Sequence, residues 1–465
     1  MATKTPVVDI HSHIFSNTWI QLLQSRTTPP YIDTIANTLV NRPGVSGKPL
    51  LANLYDVATK IKFMEQHGID VSILSLGNPW LDFLTAAEDR AAAGDVSDKI
   101  NKEMEQMCRQ HEGRLYFFAT LPMTAGPEAV LQHIATLSSY AHCRGVVMGY
   151  AGFGRGIDDP VFTPVLKTLA NAELPIFFHP NYGLPSDVFG PCCAQHGQVL
   201  PISIGFTTET TTAFTRIYLA QVFDEIPSLQ IILPHAGGTL PSLIGRIEAC
   251  IANDKAWQSR LAAHPHRRTL RDVLRQNVFF DGIAFDKGAL CAAVDAVGVD
   301  RVMFGTDHPL FPSLRRDGMY DAMMRNKDAA EECYSKASRE YQSIMGGNAI
   351  HDVIFSGCTC LFPPPAAQSS PHTGLLPFDA MHTSAASYTS FPFGISLSTT
   401  TPASRQKTAA TIRLVKATPD RIYSPGYLSE PCYKASHARH SAAIAAIFRK
   451  IGNTWWPQRF LFGND

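Results

Sequence analysis

The chain has 465 residues, 40 basic and 40 acidic side chains and a formal net charge of +0, with 45% hydrophobic residues. No run of about 18 uncharged apolar residues occurs, so a membrane span is not expected, and the absence of a basic excess argues against a nucleic-acid binder. The start, MATKTPVVDIHSH, has no basic segment followed by an apolar one, so no secretory signal is expected, and ten scattered Cys suit reduced thiols in the cytoplasm.

Eight short apolar runs follow in order: Val7–Ile10, Val71–Leu76, Leu115–Leu121, Gly145–Met148, Leu174–Phe178, Leu229–Leu233, Val278–Asp281 and Arg301–Phe304. Continuous β-branched and aromatic runs fit strands covered on both faces, as in a parallel sheet. Helices are predicted between them, at Tyr55–His67, Ser97–His111 and Leu240–Asp254 among others. The alternation predicts an α/β fold of the (β/α)8, or TIM-barrel, type over residues 1–355. A small insertion is expected after the first strand, at Phe15–Leu54, and a long fifth loop at Asn181–Thr212. A doubly wound open sheet is the alternative, but no G-x-G-x-x-G follows the first strand.

Texture changes after Phe355. Residues 356–465 hold 24 Ser/Thr and 11 Pro, with 10 Lys/Arg against 4 Asp/Glu, so the neutral total conceals a body of −6 and a tail of +6. Such composition is that of a disordered extension, or of sequence wrongly translated from a non-coding stretch. Only Ser436–Trp456 could form an amphipathic helix.

Polar residues at the strand ends carry the chemistry. The first run ends in His11-Ser12-His13, the fifth in His179-Pro180, the sixth in His235-Ala236-Gly237-Gly238, and the eighth in Thr306-Asp307-His308. Residues two apart on a strand share a face, so His11 and His13 point the same way. Catalytic groups of such barrels gather at the C-terminal strand ends. Three imidazoles and a carboxylate converging there suit a catalytic Zn²⁺ or similar divalent ion. Other histidines, such as His67, His111 and His133 on helices, read as structural, and the pair Cys192-Cys193 as a bystander.

These motifs resemble the metal-dependent decarboxylase branch of the amidohydrolase superfamily, that of aminocarboxymuconate-semialdehyde decarboxylase, over roughly Pro6–Val353. The resemblance is closest to fungal isoorotate (uracil-5-carboxylate) decarboxylases, through Lys62-Phe63-Met64, Ser75–Phe83, His179–Pro185, Gly237–Pro241 and Gly305–Pro309. Dinuclear members bridge two metals with a Lys at the end of the fourth strand; here Gly145–Gly152 contains no Lys, so one ion is expected, Zn²⁺ or alternatively Mn²⁺.

The resemblance implies that His11, His13, His179 and Asp307 surround the metal, with His235 just outside. Asp307 is then the proton donor and His235 sets its protonation. It implies substrate contacts from Asn78, Arg246, Phe206 and Lys48, the last replacing an Arg and so losing a bidentate fork. The expected partner is a small-molecule carboxylate, isoorotate or aminocarboxymuconate semialdehyde, with no nucleic acid or membrane, in a homodimer or homotetramer. A hydrolase of the same fold, such as a lactonase, stands as the alternative.

Overall fold

Burial on both faces dictates what the apolar runs become. In the computed structural model, which describes residues 5–41, 47–181, 183–190, 192–262, 267–312 and 318–353, all eight form strands of one parallel sheet. They are β1 (Val8–Ile14), β5 (Val71–Leu76), β6 (Leu115–Thr120), β7 (Cys143–Met148), β8 (Ile176–Phe178), β9 (Ile231–Leu233), β10 (Val278–Asp281) and β11 (Val302–Met303), adjacent in that order. The sheet closes on itself. Ile10 N donates to Phe304 O at 3.0 Å and His13 N to His308 O at 2.8 Å, joining β1 to the chain leaving β11. The predicted (β/α)8 barrel is therefore the fold. The C-terminal tail and its Ser436–Trp456 segment lie outside the described residues.

Helices cover the sheet: α1 (Asn17–Gln24), α2 (Val57–His67), α3 (Ala87–Gln110), α4 (Pro127–Thr136), α5 (Thr163–Asn171), α6 (Phe206–Leu219), α7 (Val222–Glu225), α8 (Leu240–Asn253), α9 (Lys255–Ala262), α10 (Leu270–Asn277), α11 (Lys287–Val297) and α12 (Asp321–Cys333). Helix α2 shows how local chemistry sets the bounds. Asp56 caps it, accepting from Ala58 N and Thr59 N, and Gly68 ends it at φ 66°. Lys60, Phe63, Met64 and His67 fall on its buried face. Inside the barrel and between sheet and helices, Phe117, Phe118, Phe177, Phe178, Phe279, Phe280 and Phe304 are fully buried, each contributing about 1.5–3 kcal/mol of apolar transfer.

Two expectations need correction. Helix α3 starts at Ala87, ten residues before the expected Ser97, because its first turns are exposed and lack an apolar phase. The fifth loop does not run to Thr212: a π-helical turn at Pro201–Gly205 leads directly into α6, so Phe206 lies in a helix instead of the loop. Within the insertion after β1, a three-stranded antiparallel sheet forms from β2 (Tyr31–Asp33), β3 (Thr38–Val40) and β4 (Lys48–Pro49).

Candidate metal centre

Three strand ends deliver His11, His13, His179 and Asp307 to one buried point, where one ligating atom of each lies within 4.8 Å of all the others. The distal hydrogen bonds decide the tautomers. His11 Nδ1 lies 2.6 Å from Asp281 Oδ2 and His179 Nδ1 2.8 Å from Pro180 O, acceptors that require an N–H. His13 Nδ1 is 2.9 Å from Ser75 Oγ, whose own hydroxyl donates to Ser12 O at 3.2 Å, so here too the ring donates. All three Nδ1 atoms therefore carry protons in the neutral rings, and all three Nε2 lone pairs face the common point. His179 Nε2 is buried with no hydrogen-bond partner. Rings fixed this way are what a metal requires of histidine ligands.

Charge agrees with that geometry. Burial works against charge on His11, yet Asp307 and Asp281 together push its pKa up to about 10. Burial lowers His13 to about 4 and holds His179 well below the usual histidine range, the neighbouring imidazoles adding to the effect. Asp307 is pushed up by burial but held well below the usual carboxylate range by His11, His13 and His235. The cavity thus stabilises positive charge beside its carboxylates and keeps two imidazoles neutral, the state in which they bind a cation. The residues present fit one divalent ion.

Asp307 is held by its neighbours. Asp9 accepts from Thr306 N at 3.0 Å and Thr306 Oγ1 at 2.7 Å, Asp307 N donates to His11 O at 2.9 Å, and Lys60 Nζ reaches His308 Nδ1 at 2.5 Å. These buried contacts hold Asp307 at φ 55°, a left-handed conformation costing about 1–3 kcal/mol. His235, also left-handed at φ 55°, is less enclosed and places Nε2 3.8 Å from Asp307 Oδ2. The following Gly238 has φ 68°, and a Cβ there would lie 2.4 Å from Thr207 O, so only glycine lets this turn pack on α6.

The other expected site residues divide. Phe206 brings its ring centroid to 6.4 Å from those of both His179 and His235. Asn78 Nδ2 donates to Pro180 O and Asn181 Oδ1, both at 3.3 Å, beside His179. Lys48, on β4, keeps an accessible side chain, but its ammonium is sheltered enough for burial to lower its pKa, with Asp307 pulling the other way. Arg246 stands exposed on α8.

Sequence reasoning missed Asp281, Ser75 and Lys60. Asp281 is fully buried and joins two parts of the site, because its Oδ1 also accepts from Ala236 N at 2.9 Å, next to His235. Burial raises the Lys60 cost and lowers its pKa to about 7, against the pull of Asp9 and Asp307. Its signal was a lysine in the apolar phase of α2.

Residues 8–351 match the amidohydrolase family model. Among solved structures the chain is similar to IDCase, isoorotate decarboxylase, of Metarhizium anisopliae in apo form, with 43% identity and a TM-score of 0.70, covering 74% of this chain and 96% of that one. It is 29% identical over 275 residues to gamma-resorcylate decarboxylase of Rhizobium sp. strain MTP-10005, covering 57% of this chain and 81% of the relative. A dihydroxybenzoic acid decarboxylase from Polaromonas sp. JS666, with bound manganese and an inhibitor, shares 23% identity and a TM-score of 0.56, covering 74% and 96%.

Proposed function

We propose, given that this chain belongs to the amidohydrolase family, that it is a metal-dependent, non-oxidative decarboxylase converting uracil-5-carboxylate (isoorotate) to uracil and CO2. Decarboxylase relatives support the reaction class. The observation that carries the substrate is the 43% identity to IDCase across nearly all of that chain. No helix among the described residues is long and apolar enough to cross a membrane, and a small soluble carboxylate fits that setting.

His11, His13, His179 and Asp307 would hold the cation, which when bound would supply Lewis acidity toward the substrate carboxylate. Zinc suits a His₃Asp donor set; manganese is the alternative, as in the Polaromonas relative. The rest of the chemistry belongs to the chain. The bond from the ring to the carboxylate breaks, its electron pair stays on carbon, and that carbon takes a proton from Asp307 as CO2 leaves. Because Asp307 rests ionised, it must take up a proton from solvent before it can donate one in each turnover. His235, 3.8 Å from Oδ2 and the most open of the four site histidines, is placed to relay that proton.

Recognition of the ring falls to residues on the rim. Asn78 commits its Nδ2 to Pro180 and Asn181, which turns its Oδ1 toward the role of accepting from an imide N–H. Phe206 forms an apolar wall, and Lys48 neutralises the substrate carboxylate as a point charge. Arg246 would serve only if a second copy in a homodimer or homotetramer brings it to the site. The described cysteines are free thiols, as a cytoplasmic enzyme would have them.

Incubating purified protein with isoorotate and following uracil and CO2 tests the proposal. Release of a hydroxy acid from lactones, with isoorotate untouched, would replace it with the hydrolase reading.

A further inference from the structure

Away from the metal centre, two thiols face each other across the outer helices. Cys291 on α11 and Cys333 at the end of α12 place their sulfurs 2.9 Å apart. Both are free and both are partly accessible to solvent. The next contact of the Cys333 thiol is the carbonyl of Lys287, at 3.6 Å.

Other contacts already set the helix spacing. Leu290, Ala293 and Ala296 of α11 and Ala329 and Ala330 of α12 are buried in the same layer. Asn326 of α12 accepts from Phe285 N at 2.9 Å, just before α11, and donates to Gly305 O at 3.3 Å, just after β11. A bonded pair of sulfurs is about 2.04 Å apart, so closure needs only about 0.9 Å of further approach.

We propose that Cys291 and Cys333 form an oxidisable dithiol, a modification site for small-molecule disulfides that closes into an intramolecular disulfide and staples α11 to α12. Cys333 donates its proton to the Lys287 carbonyl at 3.6 Å, and burial with the neighbouring Cys291 pushes its pKa up to about 12, so the resolving step is assigned to Cys333 and the attack to Cys291. With glutathione disulfide as oxidant, the Cys291 thiolate attacks one of its sulfurs, the bond between them breaks, and one glutathione thiolate leaves. Cys333 then attacks the Cys291 sulfur of the mixed disulfide and expels the second glutathione. The two cysteine protons pass to the two departing thiolates. The protein loses two electrons and the glutathione disulfide gains them.

The experiment exposes the full-length, metal-loaded protein to glutathione disulfide and maps its peptides without reduction. The expected product is a cross-linked peptide pair joining Cys291 to Cys333, lighter by two hydrogens. The bond closes a loop over a sequence separation of 42 residues, so Tm should rise by about 4–8 °C and return on reduction. Turnover should stay within about twofold, because neither sulfur belongs to the cluster. C333S should accumulate the glutathione adduct on Cys291 and show no rise in Tm. Adducts on the exposed Cys192 and Cys250 with Cys291 and Cys333 both still thiols would overturn the proposal. So would cross-linking of either to a different cysteine, or a fall in Tm on closure.

Discussion

Replacing Asp281 with Asn isolates what the buried partner of a ligand contributes. Asp281 Oδ2 accepts the 2.6 Å hydrogen bond from His11 Nδ1, while Oδ1 accepts from Ala236 N at 2.9 Å and Ile283 N at 3.1 Å. Asn has nearly the same shape but only one oxygen. If that oxygen stays with the two backbone N–H groups, the amide NH2 faces His11 and can only donate to it. Nδ1 must then accept, the proton moves to Nε2, and the lone pair directed at the ligand cluster is lost. If the amide turns the other way, its NH2 confronts two backbone donors, each left unsatisfied at about 1–3 kcal/mol.

The first arrangement is the cheaper, and its cost falls on the ligand atom. Partners of metal-bound histidines are worth about 10–100-fold in metal affinity, or roughly 1.4–2.7 kcal/mol. With the tautomer itself reversed, D281N should sit at the upper end, near 100-fold. The assay is a competition titration of metal-free protein with Zn²⁺ or Mn²⁺ against a chelator of known affinity. Near-ultraviolet circular dichroism establishes that the variant is folded. Activity should fall at limiting metal and recover in part at saturation. A folded D281N that binds metal within threefold of wild type would refute the tautomer argument, and with it the assignment of His11 Nε2 as a ligand.

Other substitutions reach different parts of the site. D307N should lower kcat by at least about 10³, since it removes both the proton donor and a metal ligand; isoorotate turnover near wild type would refute its role. H11A should lose bound metal and activity together, as read by elemental analysis of the purified protein beside the uracil assay. K60M removes the donor to His308 Nδ1 and leaves that buried nitrogen without its partner, which should destabilise the fold by about 1–3 kcal/mol, measured from urea midpoints. Glu105 is nearly buried; burial raises its pKa, but hydrogen bonds from Arg109 and His142 outweigh that and leave it lowered. Its ionised form therefore stabilises the fold above the ordinary pKa of 4.5, and this contribution fades as pH falls through the lowered value. The stability difference between wild type and E105Q should be greatest near neutrality and shrink below about pH 4.5, and a constant difference would exclude the linkage.

Much of the barrel was legible because its strands are buried on both faces. Val278-Phe279-Phe280-Asp281 and Val71–Leu76 coincide with β10 and β5, since no amphipathic alternation blurs a run covered on both sides. Helix α6 was hidden for the opposite reason. Its sequence, FTTETTTAFTRIYL, is rich in threonine, a weak helix former. In the fold, Thr207, Thr211 and Thr215 each donate their hydroxyl to the carbonyl four residues earlier, at 2.7–2.9 Å. Those bonds satisfy side chains that would otherwise compete with the helix backbone, and neither composition nor periodicity reveals them.

The same contrast separates the ligands from their supports. His11 and His13 share a face two residues apart, so their convergence follows from strand geometry alone. His179 and Asp307 each close an apolar run, a position that marks them in the sequence itself. Asp281 closes a run as well, but it ends β10 itself, while Asp307 lies in the left-handed turn beyond β11; β10 lies between β9 and β11 and brings its carboxylate to His11 Nδ1, on the side of the ring away from the other ligands. Barrel closure decides which carboxylate meets the ion and which meets the imidazole, and closure rests on contacts 270 residues or more apart in sequence, such as His11 with Asp281 and Asp9 with Thr306. Lys60 carries a sequence signal of its own. It occupies an apolar-phase position beside Phe63, Met64 and His67, and a lysine there must either face water or find buried acceptors. Here the acceptors belong to His308, so a charge that looks misplaced on α2 becomes part of what holds Asp307 in its left-handed conformation.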